Sequence, residues 1–515
     1  MRSMTLYSTF NFWVTRSPDR LAVKTPARSA TWRELENASA AIAAGLAELG
    51  VGHGDAVGLM LHNGLDFIES LLAVQRLGGR ATLLNYHFTP RELVHPISDA
   101  AIGVVITEPE HVAQLDLARE QFPRLHVILT GTGGADAVTL DQLRARGGSA
   151  PVAEGDENDT ALICYSSGTT GFPKGVMLSH RNIREGYLAT AIPCGFTPND
   201  RVLISAPLVY TWGVSQYLRE SLLPGITATI VDPSAGIDEL IDRLIADKIT
   251  LWSAVPVFFE RIAASPRFAG ADFSNLRHCV SGGSSLHLLQ QWQGKGVPLT
   301  QAFGMTETGG GHVAMLPVEY ARERIGWAGR PLLGVEMQIA DDEGNFLPPD
   351  TEGEILVSGP MVMLGYLNNP EETAKAIFGN WLRTGDVGIM DDQGFLKVTG
   401  RKKDMLRSGG INVYPAELER ILAGIRGLGE FAIIGVRDEK WGEVPMIITN
   451  DPEEPDIEAL AARCLADLAG FKRPKYLHRY GRPLPRTLSG KIMKQALRAE
   501  FSDPPEGVTV LSFRS

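Results

Sequence analysis

Between two short apolar runs, Ala161–Cys164 and Val176–Leu178, the chain carries Tyr165-Ser-Ser-Gly-Thr-Thr-Gly-Phe-Pro-Lys-Gly175. Gly168 and Gly171 let neighbouring amides turn toward one point, and the hydroxyls of Ser166, Ser167, Thr169 and Thr170 add donors. Lys174 supplies a cation. A loop of this kind can surround phosphate oxygens. It is not a Walker loop, which needs Gly-Lys-Ser/Thr, because Pro173 precedes Lys174 and Gly175 follows it.

A grip on phosphates needs strands on either side to hold it, and the flanking sequence provides them. From Asp55 to Thr130, short β-rich runs (Ala56–Leu61, Val104–Thr107, Val127–Thr130) alternate with helix-period stretches around Gly64–Leu77 and from Glu108. That alternation predicts βαβ units and a largely parallel sheet covered on both faces. The pattern returns at Arg201–Ala206, Val214–Leu223, Thr227–Val231, Ile237–Ala246 and Thr250–Ala254, with further strands at Leu276–Val280 and Val297–Thr300. From about Gly326 to Val398, short strands broken by Gly and Pro (Glu354–Ser358, Gly365–Tyr366, Phe395–Val398) predict an antiparallel or barrel-like piece. After Arg401 follows a compact α+β segment with a helix Pro415–Ala423, a strand Phe431–Val436 and a helix Ile457–Leu468.

Composition bounds the function classes. The 515 residues are 44% hydrophobic and 21% charged, an ordinary globular balance that suits about three structural units. No apolar run approaches the ~20 residues of a membrane span, and the N-terminal residues lack a leader's pattern, so a cytoplasmic protein without integral membrane contact is expected. Cys164, Cys194, Cys279 and Cys464 are far apart, which suggests reduced thiols rather than a zinc site or disulfides. The net charge of −11 argues against nucleic-acid binding. Residues 401–515 hold 19 Lys and Arg against 16 Asp and Glu, a balance of +3 that leaves −14 for the rest. A mildly basic C-terminal part would suit a lid over an anionic substrate.

The phosphate loop resembles, residue for residue, that of the adenylate-forming acyl-CoA synthetase family, the ANL superfamily. Four further stretches resemble the family's signatures in its order: Gln301-Ala-Phe-Gly-Met-Thr-Glu-Thr308, Arg383-Thr-Gly-Asp386, Gly400-Arg-Lys-Lys-Asp-Met-Leu-Arg-Ser-Gly-Gly410 and Pro485-Arg-Thr-Leu-Ser-Gly-Lys491. The resemblance covers nearly the whole chain. It implies a large N-terminal domain, residues 1–402, of two α/β sheet subdomains and a barrel-like β subdomain, and a small mobile α+β lid, residues 403–515. It also implies the reaction: a carboxylic acid and ATP give an acyl-adenylate and pyrophosphate, and the acyl group then passes to coenzyme A with release of AMP.

Joining a carboxylate to the α-phosphorus brings two anions together, so charge must be neutralised by a metal and fixed donors. By resemblance Thr306 donates to the α-phosphate, Glu307 and Thr170 hold Mg²⁺, and Lys174 and Lys491 are the catalytic cations. Phe303 stacks on adenine and Gly304 leaves room for the acyl group. Ser281-Gly-Gly-Ser284, with Gly282, Gly283 and Ser284, resembles the adenine-contact loop, although Ser284-Ser285 departs from the usual Ala-Pro. Asp386 matches the acceptor of both ribose hydroxyls, with Arg401 on the far side.

The resemblance further implies rotation of the small domain between the two steps about a hinge at Lys403. Gly409 and Gly410 would wall a pantetheine channel, and Trp441, Phe471, Arg473 and Lys475 would contact CoA. The acid would bind at Pro207–Gly213, where Tyr210 stands in place of the His common in the family. Tyr210, Thr211, Trp212, Phe258 and Met305 would wall it, with Gly213, Gly304, Gly309, Gly310 and Gly311 leaving space. With no charged residue evident in these segments, a hydrophobic monocarboxylic acid (fatty, aryl or alicyclic) is expected as the partner of ATP and CoA, and a homodimer is compatible with the family. Two alternatives stand beside this reading: a ligase that loads a carrier protein's phosphopantetheine, and a catalytically silent relative, which would be expected to lack Lys491, Glu307 or Asp386.

Overall fold

The computed structural model describes residues 3–131, 137–166, 173–282, 286–486 and 492–512, without the side chains of Ser166 and Leu286. Among these residues the strands form four sheets. The first is built on parallel strands Ala56–Met60, Arg80–Leu83, Val104–Thr107 and His126–Leu129, as the βαβ alternation predicts. Thr160–Ser166 joins it in parallel beside Arg80–Leu83, and Lys174–Ser179 returns antiparallel with Ser166 opposite Lys174. The phosphate-loop stalk is therefore a hairpin at this sheet's edge, on the side away from His126–Leu129.

The second sheet is parallel through Arg201–Ile204, Thr227–Ile230, Leu251–Ser253, His278–Ser281 and Leu299–Gly304, and then turns antiparallel at His312–Met315. Its helix Ile237–Ala246 has the bounds expected from periodicity: Leu240, Ile241 and Leu244 are buried on one face, Asp238 and Glu239 occupy the first turn, and Arg243 the last. Helix Trp32–Glu48 begins with reciprocal Thr31 and Glu34 bonds, a capping box that satisfies two end amides. Instead of one helix over Val214–Leu223, the chain makes an α-helix, Thr211–Tyr217, that runs into a π turn, Leu218–Leu222.

The third sheet is antiparallel, with Glu336–Ala340, Gly353–Ser358, Trp381–Met390, Ile377–Phe378 and Leu396–Arg401. Gly365–Tyr366 lies elsewhere than expected: it pairs with Lys174–Ser179 in the first sheet, so Tyr366 is beside the phosphate-loop stalk. A separate C-terminal sheet starts at Leu406 and has its own two core clusters. Cys164, Cys279 and Cys464 are buried, Cys194 is half-buried, and all four are free thiols. No helix among the described residues is long and apolar enough to cross a membrane.

Candidate active site

The first sheet delivers Lys174 and Tyr366 on neighbouring strands. Lys174 pairs with Glu372, from the first turn of helix Pro370–Ala376, and its ammonium lies 5.1 Å from the centre of the Tyr366 ring. The Lys174 and Lys375 ammonium groups together pull the Glu372 carboxyl down to about 2. The Tyr366 hydroxyl donates to Glu307 Oε1 at 2.9 Å, and burial with this carboxylate neighbour pushes the phenol's pKa well up.

Glu307 sits in a short 3₁₀ turn, Thr306–Thr308, between two strands of the second sheet. The turn is tied by the Thr308 hydroxyl, which accepts the Met305 amide at 3.1 Å, and ended by Gly309 in the left-handed region. Desolvation raises the Glu307 pKa, with Tyr366 and Arg401 acting against it and Asp386 with it. No Lys or Arg nitrogen lies within 4 Å of its carboxylate among the described residues. Asp386 and Arg401 oppose each other on adjacent strands of the third sheet, Nε to Oδ1 2.9 Å, with the carboxylate almost fully buried. Thus Lys174, Glu307, Asp386 and Arg401, spread over 228 positions of sequence, converge electrostatically. Ser167, Gly168, Thr169, Thr170, Gly171, Gly283, Ser284 and Lys491 lie outside the described residues.

Other expected nucleotide contacts are distributed unevenly. Gly282 follows strand His278–Ser281, and Thr306 is half-buried beside Glu307. Phe303 is 8% exposed and packs in the core cluster that includes Ala302, Val313 and Ala314.

At the proposed acid site, Tyr210 accepts from Asn85 Nδ2 at 3.0 Å, and burial pushes its phenol up to about 12. Tyr210 and Met305 pack against one core cluster, whereas Phe258 packs against another, around Trp252, Phe259 and Trp292. Phe258 is therefore removed from this wall. The glycines also play a different part from that expected. Gly213 abuts the Pro207 carbonyl and Gly304 the Gly311 carbonyl, while a Cβ on Gly310 would stand 2.6 Å from the Thr211 oxygen. Gly309 alone of these faces open space. The room at Gly311 is filled by the guanidinium of Arg219.

Arg219 and Glu220 overturn the expectation of a wall without charge. Both are fully buried beside Trp212, which makes an edge contact with His312 at 5.6 Å between centroids. Burial lowers Arg219 to about 10 and raises Glu220 to about 7. The signal available in the sequence was a charged pair interrupting the apolar run Val214–Leu223. Tyr366 and Glu372 were likewise missed, since nothing local links them to Glu307 and Lys174.

In the C-terminal sheet, strands Leu406–Ser408 and Ile411–Val413 are joined by Gly409-Gly410, both at positive φ (59° and 81°), a two-residue hairpin turn that glycine favours. Trp441 lies over Gly409, where a Cβ would be 2.6 Å from the ring, and Gly409 donates its amide to the Trp441 carbonyl at 2.7 Å. Lys403 is in the turn Lys402–Asp404 directly after the third sheet. Phe471 packs against the C-terminal core. Arg473 corrects an expectation: its Nε donates to the carbonyls of Cys464 and Leu468 at 3.1 and 2.9 Å, so the guanidinium caps helix Ile457–Asp467 instead of standing free for a phosphate. Lys475 pairs with Asp438 and is 42% exposed.

Comparison with known proteins finds relatives that cover nearly the whole chain. The family model for AMP-binding enzymes matches residues 10–367, and that for the AMP-binding enzyme C-terminal domain matches residues 417–491. A feruloyl-CoA synthase of an Amycolatopsis species is 34% identical over 492 residues, covering 94% of this chain and 96% of that protein. An indoleacetate–CoA ligase of Aromatoleum aromaticum is 32% identical over 496 residues, covering 94% and 97%. Among solved structures, the anthranilate CoA ligase AuaEII in complex with anthranoyl-AMP superposes with a TM-score of 0.89 at 26% identity, covering 97% of this chain and 98% of that one.

Proposed function

The chain belongs to the AMP-binding enzymes, and from that premise we propose that it is an AMP-forming carboxylic acid:CoA ligase whose adenylation centre is the cluster around Glu307. The observation that supports this most directly is the convergence of Lys174, Glu307 and the Asp386–Arg401 pair from three sheets. In the first step ATP and the acid form an acyl-adenylate and pyrophosphate; in the second, the CoA thiol displaces AMP.

Each residue has work that its surroundings suit. Asp386, facing Arg401, accepts from the ribose hydroxyls. Lys174 exchanges its Glu372 partner for phosphate oxygens, a switch between two anions that needs little movement of the ammonium. Thr306, half-exposed at the start of its turn, donates to the α-phosphate. The buried Glu307 carboxylate, braced by Tyr366 and with no Lys or Arg nitrogen within 4 Å among the described residues, fits Mg²⁺, an oxygen-seeking ion; Thr170 would be its second ligand. When bound, the ion supplies charge neutralisation on the triphosphate.

The domain division falls between residues 402 and 403. Lys491 supplies a cation to the joining of acid and ATP, and rotation at Lys403 then brings Gly409, Gly410 and Trp441 to the site for thiol entry. Lys475 offers the exposed cation for CoA that Arg473 does not.

The test is to measure pyrophosphate and AMP release over a panel of fatty, aryl and alicyclic acids, with and without CoA. Acid-dependent pyrophosphate exchange without CoA, and stoichiometric AMP and thioester with it, are expected. No thioester with any acid, or AMP release independent of acid, would overturn the assignment.

A further inference from the structure

Behind the proposed acid wall the helix Thr211–Tyr217 passes into the π turn Leu218–Leu222. A π turn widens the helix locally, a distortion that is often kept at binding sites. Here Arg219 and Glu220, adjacent in sequence, both line one small cavity together with Trp212, Gln216, Gly310 and His312.

The cavity is chemically unfinished. Four of the residues lining it have buried polar atoms with no hydrogen-bond partner: Trp212 Nε1 and Arg219 Nε, which can donate, and Gln216 Oε1 and Glu220 Oε2, which can accept. Other polar atoms of these groups are tied into the fold. Arg219 donates to the Gly186 carbonyl, Gln216 to the Ser253 carbonyl, and Glu220 accepts from Ser253 at 3.2 Å. A polar atom buried without a partner is costly, and these four surround one void. The void is about 20 Å³, room for a single water-sized group.

We propose that this niche receives the far end of the acid substrate and selects an uncharged hydroxyl there, which accepts from Trp212 and Arg219 and donates to Glu220 or Gln216. The inference rests on the ligase reading above and specifies its substrate class. A hydrocarbon terminus would leave all four atoms unsatisfied. A second carboxylate would meet Arg219 but be opposed by Glu220, so the cation and the carboxyl together disfavour a dianionic acid. A hydroxyl, with two lone pairs and one hydrogen, serves both donors and one of the two acceptors, and it fits the volume. Sites built to hydrogen-bond a substrate hydroxyl discriminate strongly against analogues lacking it, because the site's own polar groups are then left unpaired.

Two matched sets of acids test this: cinnamate, 4-hydroxycinnamate and 4-carboxycinnamate; hexanoate, 6-hydroxyhexanoate and adipate. CoA-dependent AMP release is measured on the wild type, on Trp212→Phe, which removes the indole N–H with part of the ring, and on Glu220→Gln, an isosteric change that replaces one carboxylate oxygen by an amide nitrogen. In at least one set the hydroxy acid should exceed its parent in kcat/KM by about tenfold or more. Either variant should cut that advantage by about threefold or more, while KM for ATP stays within about twofold. The inference is overturned if the parent acid equals the hydroxy acid in both sets, if the diacid is best, or if the advantage survives undiminished in both variants. Should one variant fail to fold, the wild-type rank order and the other variant decide. Activation of acids without a hydroxyl preference defeats this inference alone; absence of thioester with every acid, in these sets and in the wider panel, defeats the ligase reading with it.

Discussion

Arg401 and Asp386 are opposite one another across the last antiparallel ladder of the third sheet, with the guanidinium Nε 2.9 Å from the carboxylate. Asp386 is 7% exposed in its side chain and Arg401 47%, so the pair is a buried anion capped by a cation that reaches solvent. Arg401 is also the final residue of its strand, followed directly by Lys402 and Lys403. The proposed ribose site and the proposed start of the C-terminal domain are thus two ends of one short segment.

Asp386→Asn keeps the shape and removes the charge. It should raise KM for ATP by about tenfold or more, equivalent to ~1.4 kcal/mol per decade, with KM for CoA changed far less. Steady-state titrations of both co-substrates check this, and an unchanged KM for ATP would remove Asp386 from the nucleotide site.

Tyr366→Phe deletes the donor to Glu307 Oε1 and leaves a buried carboxylate oxygen short of a partner. The Mg²⁺ concentration giving half-maximal pyrophosphate release should shift by about threefold or more, with the acid preference retained. A magnesium titration of wild type and variant reads it; coincident curves would make the tyrosine mere packing.

Gly310 has φ of 65° and its missing Cβ faces the Thr211 carbonyl at 2.6 Å. Gly310→Val should therefore displace backbone and depress kcat/KM for all acids alike, by about tenfold or more, instead of shifting preference toward smaller ones. A graded acid series distinguishes a uniform loss from a change of rank order.

Gly409→Ala drives a methyl toward the Trp441 ring and strains a left-handed turn. Thioester formation should slow by about tenfold, while acid-dependent pyrophosphate exchange is preserved, because the hairpin is proposed to act at thiol entry and not in the joining of acid and ATP. Equal loss in both half-reactions would contradict the placement of this hairpin at thiol entry.

His180 accepts the Leu6 amide at Nδ1 (3.1 Å) and is buried, which lowers its pKa to about 4; Asp159 and Asp156 oppose that shift and His53 adds to it. Protonation is disfavoured in the folded state. The stability this group contributes is thus complete above pH 6.5 and lost as pH falls from there toward 4, at most about 3 kcal/mol. His180→Asn, which keeps an acceptor at the same place, should flatten urea-midpoint change between pH 7 and 5 relative to wild type. A steeper acid loss in the variant would refute the assignment.

Much of this molecule is written in consecutive residues. The alternation of β-rich and helix-period runs specified the two α/β sheets, because burial on one face of a helix or both faces of a parallel strand imposes its period locally. The residues Lys174, Glu307, Asp386 and Arg401 were likewise identifiable, each within a short motif that resembles a signature of the adenylate-forming family. What the tertiary structure decided is what meets them. Tyr366 reaches Glu307 only because its two-residue strand adds to the first sheet's edge, a pairing no local pattern encodes. Arg473 caps a helix because that helix ends beside it in space. Arg219 and Glu220, about 100° apart on an ordinary helix, share one cavity because a π turn and the absence of a side chain at Gly311 let them. Period and turn chemistry act over a few residues, whereas the burial of a charge depends on which distant surfaces close over it.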